Sequence, residues 1–230
     1  MRYLRAVSIL VIAIVAGAVT ATAQRTYDPN FALGVKGGAT FGLMSFSPSP
    51  KQTFLPGITF GVTARYMEEN HFGLIAEVNL TQRGWRENFE GAPFSYSRSL
   101  TYIQIPLLTH IYFGSRHVKG FFNLGPEVGY MIGSKINADF DYNSISTIPG
   151  FPSANRVTEQ MAMKVANHFD YGIAAGVGIE LVAGSRNSFY LEGRYYYGLG
   201  NIFPAAKKDY FSASRAMAIE ATIGYSFRLR

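Results

Sequence analysis

The sequence contains no cysteine among its 230 residues. Disulfide frameworks, thiolate metal sites and cysteine nucleophiles are therefore excluded together. Charged residues are also scarce, at 16% of the chain against about 25% in an ordinary soluble domain. Aromatic residues, at 15%, and glycine, at 24 residues, are in contrast abundant. This composition indicates a single domain in which many side chains face something other than water.

Long apolar runs are missing after residue 24, because Gly, Arg, Glu or Asn interrupts every one of them. A membrane-spanning helix needs about 20 consecutive apolar residues. A helical membrane protein is therefore excluded. If the mature chain enters a bilayer, it does so as strands, since only helices and closed barrels satisfy their backbone hydrogen bonds in lipid.

Sequence motifs for ligand chemistry are missing too. The net charge of +6 is mild, and the longest basic run after the first residues is the pair Lys207-Lys208. Nucleic acid is therefore not an expected partner. No dinucleotide-binding, P-loop, GxSxG or HExxH pattern occurs, so we expect no cofactor and no metal.

The first 23 residues have the order of a secretory signal peptide. Arg2 and Arg5 precede an apolar run at 7–19, and the small-x-small triplet at 21–23 comes directly before Gln24. This pattern predicts cleavage after Ala23, which leaves residues 24–230 as a single mature domain. The alternative is a membrane anchor helix, although the stretch is shorter than a span requires.

The strongest pattern in the rest of the chain is a two-residue alternation of apolar and other side chains. In segment 169–181, for example, Phe169, Tyr171 and Ile173 alternate with Asp170, Gly172 and Ala174. A period of two predicts a strand with one apolar face. Eight segments show it: 31–43, 58–67, 72–86, 102–113, 122–132, 169–181, 189–199 and 217–228.

The second face of these strands favours a membrane barrel over a soluble one. It is rich in glycine with isolated charges of both signs, whereas the outer face of a soluble barrel is dominated by Lys, Glu, Asp and Thr. Eight strands enclose a lumen that side chains just fill, so small residues must alternate with long ones. Buried charges there need partners. The predicted lumen charge network is Lys36, Arg65, Glu77, Arg83, Glu127, Asp170, Glu180, Glu192, Arg194 and Glu220.

The connections between the predicted strands alternate in length. Those at 68–71, 114–117 and 183–187 are short, whereas 44–54, 87–99, 133–168 and 200–214 are long and polar. Outer-membrane barrels have short periplasmic turns and longer outer loops. The sequence therefore predicts an all-β, eight-stranded, antiparallel up-and-down transmembrane barrel in the bacterial outer membrane, with both termini in the periplasm.

The order of several short motifs resembles the PorT-type outer-membrane β-barrel family of Gram-negative bacteria, a group of barrels like OmpX and OmpA. The motifs are GVKGG at 34–38, QRG at 82–84, YIQIPLL at 102–108, GPE at 125–127, AAGVGIE at 174–180, LEGRY at 191–195 and GYSF at 224–227. The resemblance implies an eight-stranded barrel. For the member that gives the family its name, it implies a part in protein secretion across the outer membrane.

Two classes of function remain open. The first is a structural or partner-binding barrel, embedded in outer-membrane lipid, that meets secretion machinery or surface proteins through loops 133–168 and 200–214. Met161 and Met163 are unusual in a solvated loop and indicate either a continued barrel wall or a helical face, and either could meet a partner. The second is a small surface protease or lipid hydrolase built on His168 and Asp170, whose spacing places both on one side of a strand. We expect a protein that is not an enzyme.

Overall fold

The computed structural model describes residues 30–69, 71–153 and 156–229. The predicted signal peptide, residues 1–23, lies outside this range. No helix in the described part of the chain is both long and apolar enough to cross a membrane.

Nine β-strands account for most of the described chain. Eight are long, and the two-residue strand β2 only adds to the edge of β4. The strands are β1 Asn30–Ser47, β2 Gln52–Thr53, β3 Leu55–Glu69, β4 Phe72–Glu87, β5 Tyr96–Gly114, β6 Val118–Ala138, β7 Phe169–Ala183, β8 Asn187–Gly198 and β9 Ala213–Arg228. A 3₁₀ turn at Ile145–Thr147 and a four-residue α-helix at Glu159–Ala162 lie between β6 and β7.

The eight long strands form a closed antiparallel ring. Each pairs with its neighbour in the chain, and β1 also pairs with β9 in a register that runs from Ala32 opposite Arg228 to Ser47 opposite Ala213. Closure leaves no long edge strand unpaired, which removes the usual site of edge-to-edge aggregation. The prediction of an eight-stranded up-and-down barrel is confirmed.

The two ends of the barrel differ. At the turn end, the connections are only 70–71, 115–117 and 184–186, and Gly184 supplies the positive φ of +72° that a tight turn needs. At the loop end, four longer connections leave the wall at 48–54, 88–95, 139–168 and 199–212.

Several strands extend further toward the loop end than the sequence pattern predicts. Residues 96–99, expected in a loop, begin β5, and residues 133–138 of the predicted loop 133–168 belong to β6. Residues 213–214 likewise begin β9. The missed parts carry Ser, Lys and Asn on their outer side, so the alternation of apolar and polar residues that identified the strands is lost there.

The outer surface of the wall carries a continuous apolar band. Val177 and Leu191 are 60% and 61% exposed, and neighbouring outward side chains are similar. On β4 the outward apolar residues run from Phe72 to Leu80 and are followed by Gln82 and Arg86. The band therefore ends near Leu80, and the last residues of β4 rise above it.

Candidate functional site

The barrel interior is filled with polar and charged side chains. All ten residues predicted to form the lumen charge network point inward, and each is at most 8% exposed. They fall into three groups along the axis, centred on Arg65 near the turn end, on Arg194 in the middle, and on Arg83 toward the loop end.

The group nearest the loop end places three carboxylates around one guanidinium. Arg83 donates a short hydrogen bond to Glu127, and its other contacts are 3.7 Å to Asp170 Oδ2 and 3.6 Å to Glu220 Oε1. The Arg83 guanidinium lies 3.6 Å from the centre of the Tyr196 ring, and the Tyr196 hydroxyl donates to Asp170 at 2.9 Å. Arg83 therefore offsets more negative charge than any other side chain in the described lumen.

The middle group is balanced. Arg194 binds Glu77 through both Nη atoms, at 2.8 and 2.9 Å, and also contacts Glu192 Oε2 at 2.9 Å. Lys36 adds a second cation, with its Nζ 2.6 Å from Glu77 Oε2. Two cations therefore face two carboxylates in a bidentate, hydrogen-bonded arrangement, which is the geometry in which buried ion pairs are tolerated.

Neutral polar residues complete this middle group, and for one of them, His110, the alternation of segment 102–113 predicts a place in a hydrogen-bond network in the lumen. Asn123 Nδ2 donates to Glu192 at 2.8 Å, so Asn123 Oδ1 must accept the 2.7 Å bond from His110 Nδ1. His110 is fully buried, and its Nδ1 carries the proton of this hydrogen bond. The alternation predicts that His110 and Asn123 both face inward, but that they meet depends on the register of β5 and β6.

The group at the turn end is a single pair. Arg65 Nη1 lies 2.8 Å from Glu180 Oε1, and the Arg65 guanidinium is 5.6 Å from the centre of the Tyr190 ring. Together the three groups place charged side chains at successive levels of the lumen.

The loop end is closed by an aromatic plug that the sequence pattern did not predict. Phe46 and Trp85 from the wall meet Phe203 and Phe211 from the connection 199–212, with ring centroids 5.2 to 6.4 Å apart. Met161 of the short helix is fully buried in the same cluster. The interpretation that Met161 meets a partner is therefore wrong, because its side chain fills the barrel mouth.

A set of polar contacts holds the helix segment over this plug. Glu87, the last residue of β4, accepts hydrogen bonds from Trp85 Nε1 at 3.0 Å and Gln160 Nε2 at 2.9 Å. The Tyr96 hydroxyl donates to the Met161 carbonyl at 2.8 Å. Glu87 lies above the apolar band, and its burial raises the pKa of the carboxyl to about 7, although Arg156 Nη1 is 3.7 Å away.

The structure does not bring the proposed catalytic pair together. Asp170 is buried and bound to Tyr196 and Arg83, whereas His168 is exposed and packs against the outward ring of Tyr130, with ring centroids 6.0 Å apart. The prediction that the two share a side is wrong, since Asp170 begins the inward alternation of β7 and His168 lies before the strand. No group of three or more potential metal ligands is present among the described residues.

An eight-stranded closed barrel with an apolar outer band and a charged, filled lumen is the architecture of small outer-membrane barrels. The comparison with known families agrees, since the family described as "Outer membrane protein beta-barrel domain" matches residues 22–204. The chain belongs to this family and is an outer-membrane β-barrel protein. No curated protein has a matching sequence.

The chain is also similar to several solved structures of outer-membrane proteins. OprG from Pseudomonas aeruginosa is 14% identical, with 86% of this chain and 96% of that chain covered and a TM-score of 0.52. Neisserial surface protein A is 13% identical, with 86% and 98% covered and a TM-score of 0.42. The outer membrane enzyme PagL is 12% identical, with 84% and 97% covered and a TM-score of 0.38. At such identities the likeness extends to the fold alone.

Proposed function

We propose that this protein is a closed outer-membrane barrel with a structural or partner-binding role, whose loop end binds another protein. The observation that carries the proposal is the double closure of the lumen, by three charged groups and then by the aromatic plug. A filled lumen offers no path for a solute. The surface of the loops is then the remaining part of the molecule that could bind a partner.

The connection 199–212 is the best candidate for the contact surface. Its inner side is anchored by Phe203 and Phe211, while Tyr210 is 48% exposed and lies close to Lys207-Lys208. Exposed aromatic residues on a fixed backbone are enriched in protein interfaces. Protein secretion across the outer membrane is the process that the PorT resemblance suggests.

The proposal gives the barrel no catalytic role. His168 and Asp170 were the only pair that the sequence offered, and they lie on opposite sides of the wall. Loss of lipid or peptide turnover in a His168→Ala variant would contradict this part of the proposal.

The proposal also places both chain termini and the turn end of the barrel in the periplasm, and the loop end outside. Because the chain lacks cysteine, single Lys207→Cys and Arg116→Cys variants give unique labelling sites at the two ends. A membrane-impermeant maleimide should label Lys207→Cys on intact cells and Arg116→Cys only after lysis. The reverse pattern would overturn the orientation.

Partner binding is tested by photo-crosslinking in intact membranes. A photoreactive residue at Lys208 should give a discrete crosslinked species with another protein, whereas the same residue at Gly193, on the apolar band, should not. Recovery of a lone monomer from both positions would count against a partner at this loop.

A further inference from the structure

Basic side chains cluster at the turn end of the barrel, at the opposite end from the aromatic plug. Lys119, Arg186 and Arg228 line a cavity of about 30 Å³ inside the rim, together with the ion pair of Arg65 and Glu180. The cavity is lined by residues of the wall strands and of the turn 184–186.

A wider groove continues from this cavity to the outside. It has a volume of about 710 Å³, shares Lys119 and Arg228 with the cavity, and adds Arg116, His71 and His117. Lys119 is held in place by its own surroundings, since its Nζ lies 4.5 Å from the centre of the Tyr112 ring. The cavity and groove together form what we call the turn-end mouth.

Within the described part of the chain, the positive charge of the turn-end mouth is offset only in part. Among the described residues, Arg116, Lys119, Arg186 and Arg228 form no ion pair with an Asp or Glu side chain. Glu180, the one carboxylate among the described residues that line the mouth, is bound by Arg65 at 2.8 Å and also attracts Lys119. Uncompensated cations in a concave site attract anions and raise their local concentration.

The geometry points to the turn-end mouth as a binding site for a phosphate-bearing anion. A cavity of about 30 Å³ has room for about two water-sized groups, which is enough for two oxygens of one phosphate group and too little for a folded protein segment. Guanidinium groups match phosphate oxygens in a bidentate way, and a lysine adds a point charge. The groove outside then holds the rest of the ligand.

Two sources of this chemistry are possible: a soluble phosphate compound, and the headgroup of an anionic phospholipid that bends over the rim. The purified full-length mature barrel in nanodiscs of zwitterionic lipid is titrated with inorganic pyrophosphate, and binding is followed by ³¹P line broadening and calorimetry. In the second arm, the same protein is placed in nanodiscs with increasing phosphatidylglycerol, and lipid enrichment around the barrel is measured.

The key variant is the double substitution Lys119→Gln/Arg228→Gln. We expect pyrophosphate binding or phosphatidylglycerol enrichment to weaken at least about tenfold, because hydrogen bonds to charged groups are lost. The matched control, Arg86→Gln/Lys135→Gln, removes one arginine and one lysine from exposed positions near the loop end and should leave binding unchanged. A heat-modifiable gel shift verifies that both variants are folded.

The two arms distinguish the sources. A loss in the pyrophosphate arm alone assigns a soluble phosphate, and a loss in the lipid arm alone assigns a headgroup. Equal weakening in the control variant would overturn the site, since it would show that only net charge matters. Absence of binding in both arms, or preference for an acidic peptide over pyrophosphate, would overturn it as well.

Discussion

Arg83 is the lumen cation that is surrounded by the largest number of carboxylates. Glu127, Asp170 and Glu220 all face its guanidinium, which also stacks on Tyr196. A buried carboxylate without a partner costs far more than an exposed one. The stability of this level of the lumen therefore depends on one cation. In the middle level, Arg194 and Lys36 together neutralise the carboxylates.

Replacement of Arg83 by Gln should lower the free energy of unfolding by about 3–5 kcal/mol, because three carboxylates lose their common partner. Urea unfolding of the protein in lipid vesicles, followed through the single Trp85, measures the change. Arg86→Gln is the matched control, since Arg86 is on the same strand but exposed. Equal stability of the two variants would contradict the role given to Arg83.

Glu87 gives a pH dependence at the loop end. Its pKa is raised from 4.5 to about 7, so the folded protein binds a proton that the unfolded chain has already lost. Stability from this group is complete below about pH 4.5 and is lost as the pH rises toward 7. The groups that face Glu87 are Arg156, Tyr96, Trp85 and Gln160, and Arg156 opposes the shift.

Glu87→Gln should remove this dependence while it keeps an acceptor for Trp85 and Gln160. We expect the variant to equal the natural protein near pH 4 and to exceed its unfolding free energy by about 2–3 kcal/mol near pH 8. Unfolding monitored by Trp85 emission at several pH values is the measurement. A natural protein that is as stable at pH 8 as at pH 4 would argue against the buried carboxyl as the cause.

At the scale of the strand, glycine on the inner face determines which large residues fit in the lumen. A Cβ added at Gly224 would overlap the ring of Tyr190 on the neighbouring strand, and one added at Gly178 would overlap Phe121. The inward glycines of β7 and β9 therefore provide the space that aromatic side chains of adjacent strands occupy.

Gly224→Ala should destabilise the barrel by about 1–3 kcal/mol, because the buried Tyr190 must leave its rotamer. Gly193→Ala on β8 is the control: nothing lies within 4 Å of its added Cβ, and it faces outward. The temperature of the heat-modifiable gel shift reports the difference. If the Gly224→Ala and Gly193→Ala barrels unfold at the same temperature, the lumen has enough free space around Tyr190 to accept the added methyl group.

Much of the strand plan could be predicted from the sequence, and the reason is physical. Every second residue of a strand faces lipid and must be apolar. In β7, Phe169, Tyr171 and Ile173 therefore alternate with Asp170 and Gly172, which makes the strand recognisable in the sequence. The same alternation predicts that Arg83, Glu127 and Glu220 face the lumen, but it does not predict that they contact one another. Strand register and barrel closure decide which inward residues meet, and neither is visible in a single strand.

The plug could not be predicted for a different reason. Phe203, Phe211 and Met161 are in connections that have no period of two, and they reach the wall residues Phe46 and Trp85 only through the path of the loops. The sequence shows that Met161 is an apolar residue in a loop. Such a residue indicates contact with an external partner as readily as burial inside the protein.

At the scale of the whole molecule, the lumen is closed at several levels. Ion-paired layers at Arg65, Arg194 and Arg83 lie beneath the plug at Trp85, so removal of one layer leaves the others in place. This redundancy supports the proposed structural role, since in a gated barrel a single element controls the passage.

The barrel should therefore show no steady ion conductance in planar lipid bilayers. A Phe203→Ala/Phe211→Ala variant should remain silent too, because the charged layers below the plug still fill the lumen. Single-channel recording is the measurement, with a known porin as the positive control. Discrete conductance steps from the natural protein would show that the layers move apart in a membrane.

The seam between β1 and β9 has a consequence for assembly. It joins residues nearly the whole domain apart, as in the pair of Ala32 and Arg228, and contacts of such long sequence separation are slow to form. Until β9 is in place, β1 and β8 each present an open edge whose outward backbone N–H and C=O groups have no partner. Since such groups are not tolerated in lipid, the barrel must close before it can span a bilayer, and its strands cannot insert one at a time.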